Sequence, residues 1–189
     1  MSEYLNETQK TCLLGLAREV ITTLLNSGKS IKPATEDPVL RAERGAFVTL
    51  KVDGKLRGCI GYPLPYKPLA DAVAEMAVAA ATQDTRFEPL GADELPRLEI
   101  EISVLTLPQP VSDVSEIVVG KHGIIVSKGR YTGLLLPQVP LEYGWDLATY
   151  LGHGCRKAGL PENEWKKGAQ IKVFEAQVFS ESETHGAKA

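Results

Sequence analysis

Long apolar runs are missing from this 189-residue chain. No stretch approaches the ~20 residues needed to span a bilayer, and Met1 to Lys10 is polar, without the apolar core of a signal peptide. Cysteine is scarce: three residues, at 12, 59 and 155, form neither a disulfide framework nor a zinc pattern. A reducing cytoplasm is the compartment this predicts. Positive charge is not in excess. The net charge of −3 argues against nucleic acid as the main partner, which would want a basic face. There is no P-loop, no dinucleotide glycine fingerprint, no HExxH and no paired CxxC, so no ATP, NAD or structural zinc is predicted. What remains is an ordinary globular composition. The chain is long enough for one large domain or two small lobes, and such a chain buries roughly 70% of its unfolded surface.

The elements can be placed from periodicity and turn chemistry. Asn6 to Asn26 reads as an amphipathic helix. Asn6 and Gln9 form a capping box, and Leu13, Ala17, Val20 and Leu24 make its apolar stripe. Gly45 to Val52 and Leu56 to Tyr62 flank Asp53-Gly54, a hairpin signal. Pro68 opens an alanine-rich helix that runs to about Gln83. Leu98 to Leu105 is the clearest strand, with Leu98, Ile100, Ile102 and Val104 on one face and Glu99, Glu101 and Ser103 on the other. A second hairpin turns at Lys128-Gly129, Trp145 to Ala158 reads as a helix, and Gln170 to Ser180 as a final strand. These elements predict an α+β fold of antiparallel hairpins with helices packed on the sheet. Residues 1–180 form one domain in this reading. A connection near 106–120 allows two lobes with a cleft between them, and 181–189 is expected to be a disordered tail.

The stretch Leu56-Arg57-Gly58-Cys59-Ile60-Gly61-Tyr62 carries the most chemistry. Regular alternation puts Leu56, Gly58 and Ile60 on one face, able to join a core, and Arg57, Cys59 and Gly61 on the other. A thiol beside a guanidinium is favoured as thiolate, the reactive form. Gly61 leaves room for a ligand or a second backbone, and Gly58 is a further candidate binding position. The competing reading makes Cys59 a small buried hydrophobe. Arg57 can bind an anionic ligand or pair with Glu99 or Glu101.

Other candidates lie further along. His122, at the start of a strand, can serve as an acid or base, or hydrogen-bond locally. Gln138 follows an apolar strand and can orient a ligand or an oxyanion, or cap a loop. Cys155 and His153 point some 200° apart on one helix, so they form neither a dyad nor one metal site; Cys155 reads as core and His153 as exposed. Cys12 reads as a packing residue.

Leu56 to Gly61 (LRGCIG) resembles the signature of the AMMECR1 family. Further matches follow in order: Arg86-Phe87 with Pro89, 98–105 (LEIEISVL), His122-Gly123, 133–139 (GLLLPQV), Trp145-Asp146, and 155–160 (CRKAGL) followed by Trp165. Thr85 stands where the family commonly has proline. The resemblance raises the functional reading of His122, as a base for Cys59 should the two approach, and Arg86, part of the same match, is a candidate binding residue. It also implies a setting, since prokaryotic members are associated with a Memo-like protein and a radical-SAM enzyme in what looks like a modification pathway. Two functions stay open, beside a purely structural reading in which Gly58 and Gly61 shape a tight sheet contact and nothing binds there. One is an enzyme using Cys59 as nucleophile or redox thiol, with His122, Gln138 and Arg57 around it, acting on a small molecule or a protein. The other is a non-catalytic ligand-binding or adaptor module presenting the Leu56–Gly61 motif.

Overall fold

The structure, a computed structural model, describes residues 4–185. The chain divides into two compact units. The first comprises residues up to Leu105 and those from Gln177 onward; the second is Thr106–Ala176.

The first unit begins with helix α1, Glu7–Ser27. Asn6 and Gln9 close the capping box expected from the sequence, and Gly28 ends the helix in the left-handed conformation at φ 67°. Strands β1 (Ala46–Val52) and β2 (Lys55–Tyr62) form the hairpin. Asp53 and Gly54 both take positive φ, 52° and 75°, as a two-residue turn of this hand requires. Helix α2, Leu69–Thr82, follows, and then β3, Leu98–Leu105. The sheet runs in the order β2-β1-β3-β8, where β8 is Ala176–Ser180. Strand β1 is antiparallel to both β2 and β3. Val48, Leu50, Ile100, Ile102 and Val104 bury one face of this sheet against Leu13, Ala17 and Ile21 of α1 and Val73, Met76 and Ala77 of α2.

Strand β2 is not regular. Val52 pairs with Lys55 and Lys51 with Leu56, but Leu50 pairs with Gly58. Arg57 is the extra residue of a β-bulge. A bulge exchanges the faces of everything beyond it, so the expected grouping of Leu56 with Gly58 and Ile60 fails. Gly58 and Ile60 take the helix-covered side, while Leu56, opposite Lys51, is on the other side and 44% exposed.

The second unit holds the sheet β4-β7-β5-β6, made of β4 (Gln109–Pro110), β5 (Gly123–Lys128), β6 (Tyr131–Leu135) and β7 (Gln170–Phe174). Helices α3 (Val139–Tyr143) and α4 (Leu147–Lys157) follow β6. Ile124, Val126, Tyr150, Leu151, Cys155 and Ile171 form its core. The single final strand expected over 170–180 is two strands, β7 and β8, in different sheets. The break falls at Glu175. Its carbonyl accepts from Thr106 N–H, and its N–H donates to Thr106 Oγ1 at 2.8 Å, which ties the entry of the second unit to its exit.

Residues 181–185, expected within a disordered tail, form the short helix α5, Glu181–His185. Its first residue explains the order: Glu181 accepts from Arg18 Nε and Nη2 at 2.9 and 2.5 Å and from Ile100 N–H at 2.8 Å. Residues 186–189 lie outside the described residues. Among the described residues no helix is long and apolar enough to cross a membrane.

Candidate functional site

Cys59 sits in β2 opposite Thr49, on the sheet face turned away from α1 and α2. The bulge at Arg57 puts it there. Had the pairing set by the Asp53-Gly54 turn continued, Cys59 would lie opposite Val48, a core residue with no exposure. Thr49 Oγ1 donates to Cys59 Sγ at 3.3 Å. Opposite Thr49 on its other side is Glu101 of β3, whose carboxylate accepts from Lys51 Nζ at 2.8 Å. Thiol, hydroxyl and carboxylate thus stand in one row across three strands, with an ammonium beside them. Lys51 is held charged first by its hydrogen bond to Glu101.

The edge of β2 is secured at the same residue. Cys59 N–H donates to Asp84 Oδ2 at 2.8 Å, and Arg86 Nη2 reaches the Cys59 carbonyl at 3.4 Å. Asp84 and Arg86 are paired twice more, through Nε to Oδ1 at 2.9 Å and Nη2 to Oδ2 at 2.7 Å. Both outward-facing backbone groups of Cys59 are occupied by side chains, which blocks strand addition at that point. Asp84 is buried, and the Arg86 guanidinium above all, with the Cys59 N–H, holds its carboxyl well below the usual carboxylate range.

Arg57 does not pair with Glu99 or Glu101. It forms a two-point pair with Glu94, Nε to Oε1 at 2.8 Å and Nη2 to Oε2 at 2.9 Å. Its Nη1 and Nη2 also donate to the carbonyls of Glu88 and Pro89. All three nitrogens are engaged, and the bulge directs the side chain to the 88–94 segment. The room expected at Gly61 is filled by protein, and so is the space at Gly58. A Cβ on Gly58 would lie 2.2 Å from the Ala80 carbonyl oxygen of α2, and one on Gly61 2.3 Å from the Phe47 ring.

His122 and Gln138 belong to the second unit. His122 is mostly buried. Its Nδ1 accepts from Val118 N–H at 3.1 Å, which leaves the proton on Nε2, 3.7 Å from Glu175 Oε1. This is a locally bonded histidine. Gln138 is exposed and caps α3 through its backbone, with no hydrogen bond from its side chain to the cap. Cys155 is buried, and burial pushes its thiol up. His153 is not simply exposed: it stacks on Trp145 with ring centroids 3.6 Å apart. Cys12 is exposed on α1. Among the described residues no group of three or more His, Cys, Asp or Glu side chains converges as a metal site would.

Sequence reasoning missed Thr49, Asp84 and Lys51 as members of the site. The hairpin turn alone pairs Thr49 with Gly58, so only the bulge could have revealed it.

Fold and site together define an α+β protein of two antiparallel sheets, with a cysteine of the LRGCIG stretch held at the edge of the first. A sequence profile of the AMMECR1 family matches residues 14–179, and the chain belongs to that family. Relatives include Protein MK0488 of Methanopyrus kandleri, 47% identical over 98% of this chain and 95% of its own length. Protein MJ0810 of Methanocaldococcus jannaschii is 45% identical over 90% and 89%. The crystal structure of uncharacterized protein PH0010 from Pyrococcus horikoshii matches with a TM-score of 0.75 and 40% identity, covering 95% of this chain and 94% of that one.

Proposed function

We propose that this AMMECR1-family chain is an enzyme of thiol chemistry in which Cys59 is the nucleophile. The observation that carries the reading is the Thr49 hydroxyl donating to Cys59 Sγ at 3.3 Å. That hydrogen bond holds the sulfur in one orientation and leaves a lone pair to attack an electrophile. Acyl transfer suits the arrangement better than dithiol redox chemistry, because Cys12 is on α1, which packs on the opposite face of the sheet, and Cys155 is in the core of the other unit. In the acyl step, sulfur donates its electron pair to the acyl carbon and a C–S bond forms. The bond from that carbon to the leaving group breaks, and the leaving group departs with its electrons and takes up, through solvent, the proton the thiol released. The thioester then passes its acyl group to an acceptor nucleophile, which restores the thiol. Asp84 and Arg86 fix the Cys59 backbone and Thr49 orients the sulfur. His122, as an acid–base group, and Gln138, as an exposed amide, stay in the proposal as ligand contacts of the second unit. The partners implied by the resemblance, a Memo-like protein and a radical-SAM enzyme in a reducing cytoplasm, belong to the same proposal.

The test is the alkylation rate of each cysteine by iodoacetamide at pH 7, resolved by mass spectrometry. Cys12, exposed on a helix, serves as the reference surface thiol and Cys155 as the buried one. Cys59 should react faster than Cys12, and Thr49→Val should slow it while Thr49→Ser does not. A Cys59 slower than Cys12 sinks the nucleophile reading. The second reading, an adaptor module, draws on Leu56, 44% exposed on the same sheet face. It requires that Cys59→Ser leave cellular function intact and that Leu56→Ser abolish it.

A further inference from the structure

Two arginines flank the thiol, and they differ in one respect. Arg57 has every nitrogen engaged within the protein, and its side chain is 19% exposed. Arg86 uses Nε and Nη2 on Asp84 and the Cys59 carbonyl. Among the described residues its Nη1 has no hydrogen-bond partner, and the side chain is 55% exposed. The Asp84 side chain, by contrast, is 6% exposed. The pair is therefore a dipole whose negative end is buried and whose positive end faces outward, beside the residue that carries the sulfur. Phe87, whose ring centroid is 5.5 Å from the guanidinium carbon, limits how far the arginine can swing.

We infer that the outer edge of Arg86 is an oxyanion-recognition element, and that the substrate of Cys59 is an anionic electrophile. That substrate is an acyl donor bearing a carboxylate or phosphate close to the acyl carbon. The inference rests on the thiol reading above and adds the substrate class to it. With Nε and Nη2 taken by Asp84 and the Cys59 carbonyl, Nη1 is left as a charged donor to an oxygen of such an anion, and Asp84 keeps the guanidinium in a fixed orientation. Only the outer N–H groups remain for the ligand, so the anion approaches from the solvent side.

Asp84 offsets part of the Arg86 charge, and the other acidic groups on this face add little to that. Glu101 is neutralised by Lys51 at 2.8 Å, and Glu99 accepts a hydrogen bond from Ser182 Oγ at 2.6 Å. Both are on β3, two strands from Cys59. Two strand spacings amount to about 10 Å, roughly a Debye length at moderate salt. Arg86 is bonded to Cys59 itself.

Two alkylating probes of similar size separate charge recognition from thiol reactivity: iodoacetate, which carries a carboxylate, and iodoacetamide, which is neutral. Each is reacted with the full chain at pH 7, and the rate ratio is read at Cys59 and, in the same molecule, at Cys12. The ratio of iodoacetate to iodoacetamide should be about 1.5-fold to fivefold higher at Cys59, the range one exposed, partly screened charge pair gives. It should fall to the Cys12 value in Arg86→Gln, be partly kept in Arg86→Lys, and shrink in high salt. Succinate and inorganic phosphate, added as competitors, identify which oxyanion protects Cys59 better. Equal ratios at the two cysteines overturn the inference, as does an Arg86→Gln ratio equal to that of the parent chain. Thermal melts of both variants show whether the fold survives, and Arg86→Lys keeps the test open if Arg86→Gln does not fold. The iodoacetamide rate alone judges the nucleophile reading. A fast Cys59 with no anion preference refutes the substrate class and leaves the nucleophile standing.

Discussion

Replacing Gly58 with alanine puts one methyl group where α2 already lies. The new Cβ would sit 2.2 Å from the Ala80 carbonyl oxygen and 3.1 Å from its carbon. Both atoms are backbone, so no rotamer change relieves the contact. Either α2 or β2 must withdraw by roughly 1 Å to restore ordinary van der Waals separation. Overpacking of this kind costs about 1–3 kcal/mol. Alanine also restricts the unfolded chain, a gain of about 0.4–1 kcal/mol, which does not reverse the sign. The net cost, up to about 2.5 kcal/mol, should lower the melting temperature of the intact chain by up to about 10 °C, given about 2–4 °C per kcal/mol at this chain length. The control is the same substitution at Gly15. That glycine is exposed within α1, and a Cβ there meets nothing within 4 Å. Gly15→Ala should therefore raise stability by about 0.5–1 kcal/mol. Paired thermal and urea denaturation reads both signs. If Gly58→Ala melts at or above the parent temperature, the close crossing of α2 over the LRGCIG strand is wrong, and so is the structural role given to that glycine.

The Asp84–Arg86 pair at the strand edge, buried at its carboxylate end, makes stability pH-dependent. The Asp84 carboxyl is depressed, first by Arg86, so its contribution is present in full above the ordinary carboxylate range and fades as pH falls below about 4. In Asp84→Asn the deficit against the parent should be largest near neutrality and narrow in acid; a deficit that stays constant with pH would refute this account. Tyr150 is fully buried in the second unit, with its hydroxyl 3.2 Å from the carbonyls of His122, Leu135 and Leu136. Tyr150→Phe leaves those carbonyls without that donor and should cost about 1–3 kcal/mol in urea titration. Arg57→Ala and Glu94→Ala should be strongly non-additive, because each abolishes the same two-point pair. A double-mutant cycle with a coupling near zero would show Arg57 free for another role.

Much of the framework was legible in the sequence because it rests on local rules. The Asn6–Gln9 capping box, the Asp53-Gly54 turn and the alternation of Leu98 to Val104 each depend on residues a few positions apart, and each appears where expected. The division at Glu175 was not legible. Gln170 to Ser180 alternates well enough for one strand, and only the tie to Thr106, 69 positions away, splits it between two sheets. The short helix at 181–185 is likewise anchored by Arg18 and Ile100, far away in sequence.

The site shows the same boundary most sharply. Sequence pattern alone places a cysteine, one arginine and two glycines on one hairpin strand, and groups the chain with proteins sharing that stretch. Tertiary structure alone decided what each of them does. Arg57 is closed by Glu94, Gly58 by α2 and Gly61 by Phe47. Asp84 and Arg86 come in from a later segment to hold Cys59. The face on which the thiol stands was settled by one extra residue. Side chains alternate with a period of two, so the bulge at Arg57 moves Cys59 from the core face to the other. Nothing local announces a bulge, because its stability comes from the carboxylate and carbonyls that receive the displaced arginine.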